Sequence, residues 1–404
     1  MSSKKKIAII GGGASAMMLA CVLDTSKYDV TIYERNAALG RKLLVAGDGG
    51  FNLTHSEETE ILLTRYAPAS FLEPCLLSFN NNDFRDWLKA AGVPTFIGTS
   101  KRVFPEEGIK PIDVLNVFLN RIRKNMVEIK PNHFWKGWNE EDELLFENYS
   151  QQITVSTAIA VFALGGSSWK VTGSDGGWAN HFKTKGIATL PFESSNCAVK
   201  INWNNEFIAQ NEGQSLKNCE LKINKKSKKG EVVITKFGME GGVVYALIGE
   251  VRQQLKLNHS AQLFIDLKPE LEQKEIEMRL NNRGNKSITQ QLNAHLNLND
   301  LQLHLLKSTL TKNEFTNSSS LANCIKNLPV EVLGLAPIDE AISTVGGIAL
   351  DEVDKQFQLL KMKNHYCIGE MLNWDAPTGG YLLQACFSMG YFLAKKLNEA
   401  EESN

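Results

Sequence analysis

The first apolar block of the chain, Lys6-Ile-Ala-Ile-Ile10, is short and closed on both sides, by lysines before it and by Gly11-Gly12-Gly13 after it. A run of that kind predicts a strand buried on both faces of a parallel sheet. Ala14 to Leu23 then places Ala16, Leu19, Ala20 and Leu23 at helical spacing, and Asp29-Val-Thr-Ile-Tyr-Glu34 predicts a second strand that ends in an acid. Strand, glycine turn, helix and strand make one βαβ unit at the head of the chain. Residues 40–56 carry Gly40, Gly47, Gly49 and Gly50 with little apolar continuity and predict a loop. Helical spacing returns between Pro68 and Arg123, above all in 81–91 and 111–123. Short strands are predicted at 126–129, 133–138 and 143–147, and a long buried one from Thr157 to Leu164 that Gly165-Gly166 stops.

Beyond Pro191 the pattern alternates as strands do, to about Asp266. Lys222 to Lys229 is read there as a solvated hairpin tip rather than a binding patch. From Pro269 to Leu328 the chain is polar and helical, rich in Asn, Gln and Leu. Tyr366-Cys-Ile-Gly369-Glu370 predicts a strand closing on a Gly-acid pair. The last helix is predicted from Leu382 to Asn398, after Gly379-Gly380.

Composition narrows the class. Over 404 residues, 44 basic and 45 acidic side chains leave a formal charge of −1, which argues against bulk binding to nucleic acid or anionic membrane. Apolar residues at 43% and charged residues at 22% exclude wholesale disorder, and the length suits two or three domains. Apolar runs fall short of the ~20 residues of a membrane span, and only Ile7 to Ile10 follows the lysines of the N-terminus, too little for a signal peptide. A cytoplasmic setting is expected. The seven cysteines are odd in number and contain no CxxC, so reduced, mostly buried thiols are expected rather than disulfides or a redox pair. The seven histidines show no metal-ligand spacing, and no metal site is expected.

The candidate chemistry begins at Gly11-x-Gly13-x-x-Ala16, a dinucleotide fingerprint in which Gly11 makes the turn, Gly13 admits a pyrophosphate and Ala16 lets helix and strand pack closely. Glu34, 23 residues after Gly11, stands where an acid accepts ribose hydroxyls and disfavours a 2′-phosphate. A second cluster, Gly40-Arg41-Lys42 with Gly47-Asp-Gly49-Gly50-Phe-Asn52-Leu-Thr54, favours FAD over NAD, because an extended flavin needs backbone donors along its ribityl chain and charge near its phosphates. An ordinary surface loop with capping glycines is the alternative reading of that cluster taken alone. Gly369-Glu370, and the helix that opens after Thr378-Gly379-Gly380-Tyr381-Leu382, would serve the ribityl group and the flavin edge.

With these motifs the chain resembles the YhiN/BaiN-like bacterial flavoproteins, the aminoacetone-oxidase-family FAD-binding enzymes, and most closely an uncharacterised branch of them. The resemblance runs over nearly the whole chain, through Ile9–Ala16, Gly40–Lys42, Ala46–Ser56, Ala163–Gly176, Gly238–Leu247, Ala341–Gly347 and Gly369–Gly390. It implies an α/β fold with a discontinuous Rossmann-like FAD domain of glutathione-reductase type (1–190 and 337–404), an inserted β-rich substrate domain (191–268 and 329–336) and a helical insert (269–328). It implies cofactor contacts from Gly11, Gly13, Ala14, Ser15 and Ala16, from Glu34 and Arg35, from Arg41, Lys42, Gly47, Gly49, Asn52 and Thr54, from Ala163, Leu164 and Gly165, and from Gly369, Glu370, Gly379, Gly380, Tyr381 and Leu382. The better-known branch has Arg-Cys where this chain has Gly50-Phe51, so thiol chemistry there does not carry over.

The function expected is FAD-dependent hydride transfer between a small organic substrate and the flavin N5, reoxidised by NAD(P)H-linked or oxygen-linked chemistry. No second GxGxxG serves a nicotinamide, so NAD(P)H would dock transiently. No catalytic acid or base is readable; the candidates are His55, which as a lone histidine is more often structural, Asp375 and Tyr381, which serve equally well to orient the loop, and Glu240 and Tyr245, the latter equally a core residue. Two other readings stay open: a flavin-binding redox sensor or assembly module without turnover, and an FAD-dependent enzyme modifying RNA or protein.

Overall fold

The opening strand, Lys5–Ile10, is the middle of a five-stranded sheet whose order is His365–Cys367, Ile159–Phe162, Lys5–Ile10, Tyr28–Tyr33, Glu128–Lys130. All neighbours run parallel. Ile7 to Ile10 and Ile159 to Phe162 are buried throughout, as a strand covered on both faces requires. The computed structural model describes residues 4–45, 50–282 and 287–400. The chain divides into two compact units, Met1–Glu193 with Ser343–Asn404, and Ser194–Ile342.

The first unit is a mixed α/β fold on this parallel sheet. Its opening helix, Ala14–Val22, is almost wholly buried and packs against the closing helix, Tyr381–Ala400. Their approach is close because of Gly390: a methyl group there would stand 2.3 Å from the Ser15 carbonyl oxygen. Head and tail of the chain therefore share one core, and the single α/β fold inferred from both ends is what is found.

Local rules explain most elements. Asn80 accepts from the Asn82 and Asp83 amides and Asp83 answers to the Asn80 amide, which starts the helix Asn81–Ala90. Pro111 opens the helix Pro111–Lys124, and three basic residues close it. The expected strands at 126–129 and Thr157–Leu164 are shorter or displaced, at Glu128–Lys130 and Ile159–Phe162, because only those residues find a partner in the ladder. A three-stranded antiparallel sheet, Phe134–Trp138, Leu144–Asn148 and Gln151–Val155, lies between them in sequence; its polar third strand was not expected. The reading of 40–56 as loop is corrected. Gly40, at φ 71°, donates its N–H to the Gly12 carbonyl and releases Arg41–Val45 as a short helix of good helix formers, and Thr54–His55 forms a strand.

The second unit is built on a seven-stranded antiparallel sheet in the order Leu328–Val332, Ala261–Asp266, Ser215–Ile223, Lys226–Thr235, Gly238–Glu240, Val199–Lys200, Gly334–Leu335. The region read as alternating strands also holds the helices Asn205–Asn211 and Ile248–Asn258. Five helices lie between Gln273 and Lys326 among the described residues, and all but the short Lys312–Thr316 carry buried leucines into this unit's own core. The hairpin expected at Lys222–Lys229 is present, with Ile223 paired to Lys226. Several of its lysines are paired: Lys226 with Glu250, Lys229 with Glu270, and Lys222 with the buried Asp266.

None of the seven cysteines is in a disulfide, and all are buried. Among the described residues no helix is long and apolar enough to cross a membrane.

Candidate active site

The glycine turn between the opening strand and helix has one open position. Gly11, at φ 101°, donates its N–H to the Tyr33 carbonyl, and a Cβ on it would stand 2.4 Å from the Ala163 oxygen. A Cβ on Gly12 would stand 2.3 Å from Leu39. At Gly13 nothing lies within 4 Å of where a Cβ would be. The helix begins at the next residue and has no acid of its own in its first turn, so its amide end is turned to that space. Ser15 and Ala16 are buried; Ser15 Oγ stands 2.6 Å from a would-be Cβ on Gly369.

Glu34 is buried beside this turn. Its Oε2 accepts from the Gly12 amide at 2.8 Å, and its Oε1 from the Asn36 amide and side chain at 2.8 and 2.7 Å. Three of a carboxylate's roughly four acceptor positions are thus filled, leaving one. Arg35 turns to Asp175 at 2.7 Å and lies over the Phe134 ring. Arg41 donates to Asn36 at 2.8 Å. These two arginines stay on the Glu34 side of the unit.

Lys42 instead reaches Glu370 at 2.8 Å and Ser168 at 3.0 Å, joining two predicted residues 328 positions apart. Asn52, with its amide oriented by its partners, accepts from the Gly380 amide at 2.6 Å. A Cβ on Gly380 would stand 2.5 Å from Thr54 Cα, so only glycine lets the closing helix begin there. Thr54 has no free hydroxyl: it donates to Gln384, which donates to the Phe79 carbonyl and to Ser388. Ala163 abuts Gly11, Leu164 is half-buried, and the Gly165 carbonyl accepts from Trp178. The Gly369 carbonyl accepts from Trp374, and Leu382 packs against the core. Gly47 and Gly49 lie outside the described residues.

Tyr381, the first residue of the closing helix, belongs to a polar cluster that sequence reasoning missed. Its hydroxyl donates to Glu57 at 2.8 Å, Arg65 grips the same carboxylate, and Tyr66 donates to the Tyr381 carbonyl. The His55 ring stacks on Tyr381 at 5.0 Å. Burial, and then the Glu57 carboxylate, push the Tyr381 phenol well above its ordinary range. Burial pushes Glu57 up, but the hydrogen bonds from Arg65 and Tyr381 outweigh it and hold the carboxyl below its usual value. Burial also outweighs the pull of Glu57 on His55 and keeps that ring neutral to lower pH. Glu57 and Arg65 are eight residues apart, a spacing that no local rule marks. Gln384 and Ser388 did leave a signal, as an i, i+4 polar pair on an otherwise apolar helix.

A parallel sheet with a glycine turn at its first strand, an acid at the end of its second, and a glycine pair where the closing helix returns defines the dinucleotide-binding oxidoreductase class. The chain belongs to the family described as HI0933-like protein Rossmann domain, matched over residues 5–396, which is the YhiN/BaiN-type FAD-binding family. It is therefore an FAD-dependent oxidoreductase.

Among its relatives is a 3-dehydro-bile acid delta(4,6)-reductase from Clostridium scindens, 22% identical over 413 residues that cover 98% of this chain and 99% of the relative. A ribosomal RNA dihydrouridine synthase from Haemophilus influenzae is 29% identical over 112 residues, 28% of each chain. The fold is similar to that of a 3-ketosteroid-delta4-(5alpha)-dehydrogenase from Rhodococcus jostii, solved with 4-androstene-3,17-dione, at TM-score 0.50 and 13% identity over 99% of this chain and 97% of that one. The residues fit an FAD where the geometry is decisive: the space left at Gly13 is the space a pyrophosphate needs at the helix start.

Proposed function

We propose that this protein is a reductase of carbon–carbon double bonds conjugated to a carbonyl group, acting on a small organic molecule. The observation that carries the reading is the end-to-end similarity to a relative named as a delta(4,6)-reductase, which leaves no large segment of either chain unmatched. Bound FAD supplies a hydride donor and acceptor at its N5 atom. The chain's own residues hold it: Gly11, Gly13, Ala14, Ser15 and Ala16 at the pyrophosphate, Glu34 at the adenosine ribose, and Ala163, Leu164 and Gly165 beside the adenosine half. Lys42, Asn52, Glu370, Gly379 and Gly380 serve the ribityl and ring portion. The partly buried Tyr381–Glu57–Arg65 cluster fixes the start of the closing helix and keeps the phenol protonated across the physiological range. NAD(P)H is the proposed reductant, docking transiently, and the seven buried thiols suit a reducing, cytoplasmic setting.

The test is anaerobic reduction of the yellow protein, first with NADH and then with NADPH, followed by mixing with enones. Return of the oxidised flavin spectrum on adding an enone supports the reading. Reoxidation by air alone, with every enone inert, replaces it with an oxidase. Reoxidation by neither leaves a sensor or assembly module.

A second reading is favoured by the similarity to a ribosomal RNA dihydrouridine synthase, since saturating the C5=C6 bond of uridine is the same type of reaction. Ribosomal RNA as substrate would appear as dihydrouridine formed in a transcript, with binding that weakens as salt rises. The formal charge of −1 weighs against it.

A further inference from the structure

Three short strands of the first unit, Thr54–His55, Arg102–Pro105 and Thr95–Ile97, form an antiparallel sheet with Arg102–Pro105 in the middle. His55 is paired with Arg102, and Phe96 with Phe104. Paired residues share a face, and alternate residues along a strand do too. One face therefore carries Phe96, Phe104, Arg102 and His55 in a row, while Val103 and Thr54, both fully buried, point to the core.

This row lies beside the glycines of the candidate site. A methyl group on Gly379 would stand 3.4 Å from Arg102 Nε, and one on Gly50 would stand 3.8 Å from the Phe104 ring. His55, at the end of the row, stacks on Tyr381. The two arginines near the start of the closing helix differ sharply. Arg65 is neutralised by Glu57, whereas no carboxylate pairs with the half-buried Arg102 among the described residues. At the other end of the row Phe96 stacks on Phe104 with ring centroids 5.7 Å apart. Phe96 is 47% exposed, so the outer end of the row is an aromatic surface open to solvent.

We infer that this face receives the substrate: Arg102 binds the carbonyl oxygen of a flat, apolar, α,β-unsaturated ketone, whose ring system lies on Phe96 and Phe104. The inference rests on the reductase reading. When hydride is added to the β-carbon, the π electrons of the C=C bond move to the carbonyl carbon and those of the C=O bond to oxygen, giving an enolate. Its negative charge forms at the guanidinium, where a preorganised cation stabilises it most. A proton from solvent then bonds the α-carbon and the ketone reforms. Two hydrogens have been added, and a reduced nicotinamide is the net reductant. The same cation does little for the neutral ketone, so its effect falls on the reaction rather than on ground-state binding.

The experiment uses the FAD-loaded protein and the substitutions Arg102→Gln, Arg102→Lys and Phe96→Ala. A para-substituted phenol, 4-hydroxybenzaldehyde, serves as an enolate mimic, titrated by the long-wavelength charge-transfer band that phenolates give over oxidised flavin. R102Q is expected to weaken phenol binding at least tenfold. It should also lower kcat/KM for a polycyclic enone by roughly 10² to 10³, with the FAD midpoint potential unchanged. R102K should recover part of both. F96A should raise KM for the polycyclic enone but not for 2-cyclohexenone, with kcat unmoved. Phenol binding and kcat/KM within twofold of the parent in R102Q would overturn the inference. So would a shifted midpoint potential with phenol binding intact, which would assign the guanidinium to the flavin itself. If the parent protein reduces no enone the reductase reading fails, and the phenol titration still decides whether Arg102 holds an oxyanion.

Discussion

Gly11→Ala and Gly13→Ala should fail in opposite ways, although the two residues are two positions apart. At Gly11 the backbone is left-handed, φ 101°, which costs an alanine about 1–2 kcal/mol. The new methyl would also stand 2.4 Å from the Ala163 carbonyl oxygen, about 0.9 Å inside an ordinary C···O contact of ~3.3 Å. That oxygen belongs to the backbone next to a central strand and cannot swing aside, so overpacking adds about 1–3 kcal/mol. The total, about 2–5 kcal/mol, is a large part of the roughly 5–15 kcal/mol that holds a domain folded. Gly13 has φ −81° and ψ −172°, open to any residue, with nothing within 4 Å of the would-be methyl. Alanine there should cost about 1 kcal/mol or less in stability. The methyl would instead fill the space where backbone must approach a pyrophosphate, and FAD affinity should fall at least tenfold, about 1.4 kcal/mol. Urea unfolding followed by tryptophan fluorescence reads the first effect, and quenching of FAD fluorescence by apoprotein reads the second. The reasoning is refuted if G13A binds FAD within twofold of the parent, or if G11A and G13A unfold at the same urea concentration.

Glu57→Gln removes the anion that Arg65 and Tyr381 share and should cost about 1–3 kcal/mol near neutral pH, read as a lower thermal midpoint. Because the folded carboxyl titrates below its usual value of 4.5, its contribution is present above that pH and lost as pH falls through the lowered value. Parent and variant should therefore converge in acid; a constant gap down to about pH 3 would contradict the ion-pair account. Asp266→Asn leaves Lys222 and Lys326, at 3.1 and 2.8 Å, without their buried partner, and should destabilise the second unit by about 3 kcal/mol in urea melts. A thiol reagent such as DTNB should find none of the seven cysteines in the native protein within minutes and all seven in denaturant. Rapid native labelling of even one would contradict the burial described.

The parts of this fold that were legible in the sequence are those whose physics is local. The opening strand, its glycine turn, the helix and Glu34 lie within 30 residues, and each step follows from a residue type at a fixed offset. The closing helix was legible because twenty residues carry its period, and the Lys222–Lys229 hairpin because a charged tip sits between strand-like runs. Arg102 and its row were invisible for the opposite reason. The strands Thr54–His55, Arg102–Pro105 and Thr95–Ile97 are two to four residues long, too short to show alternation, and the face exists only once His55 is paired with Arg102, 47 residues on. The loop reading of 40–56 failed on a similar point: Gly40 looked like one more loop glycine, but its bond to Gly12 makes it the turn before a helix.

The Gly390–Ser15 contact between first and last helices also sets an order of events on the ribosome. Residues 194–342 are contiguous and carry their own core, so they can collapse while synthesis continues. The nucleotide fold cannot: one edge of its sheet, His365–Cys367, and the helix that seals its first turn, Tyr381–Ala400, emerge only after that unit has been made. Until then the nascent first strands expose a half-built apolar sheet, which makes them a natural client for chaperones, and FAD capture must wait until the second unit has been made and the closing helix follows it.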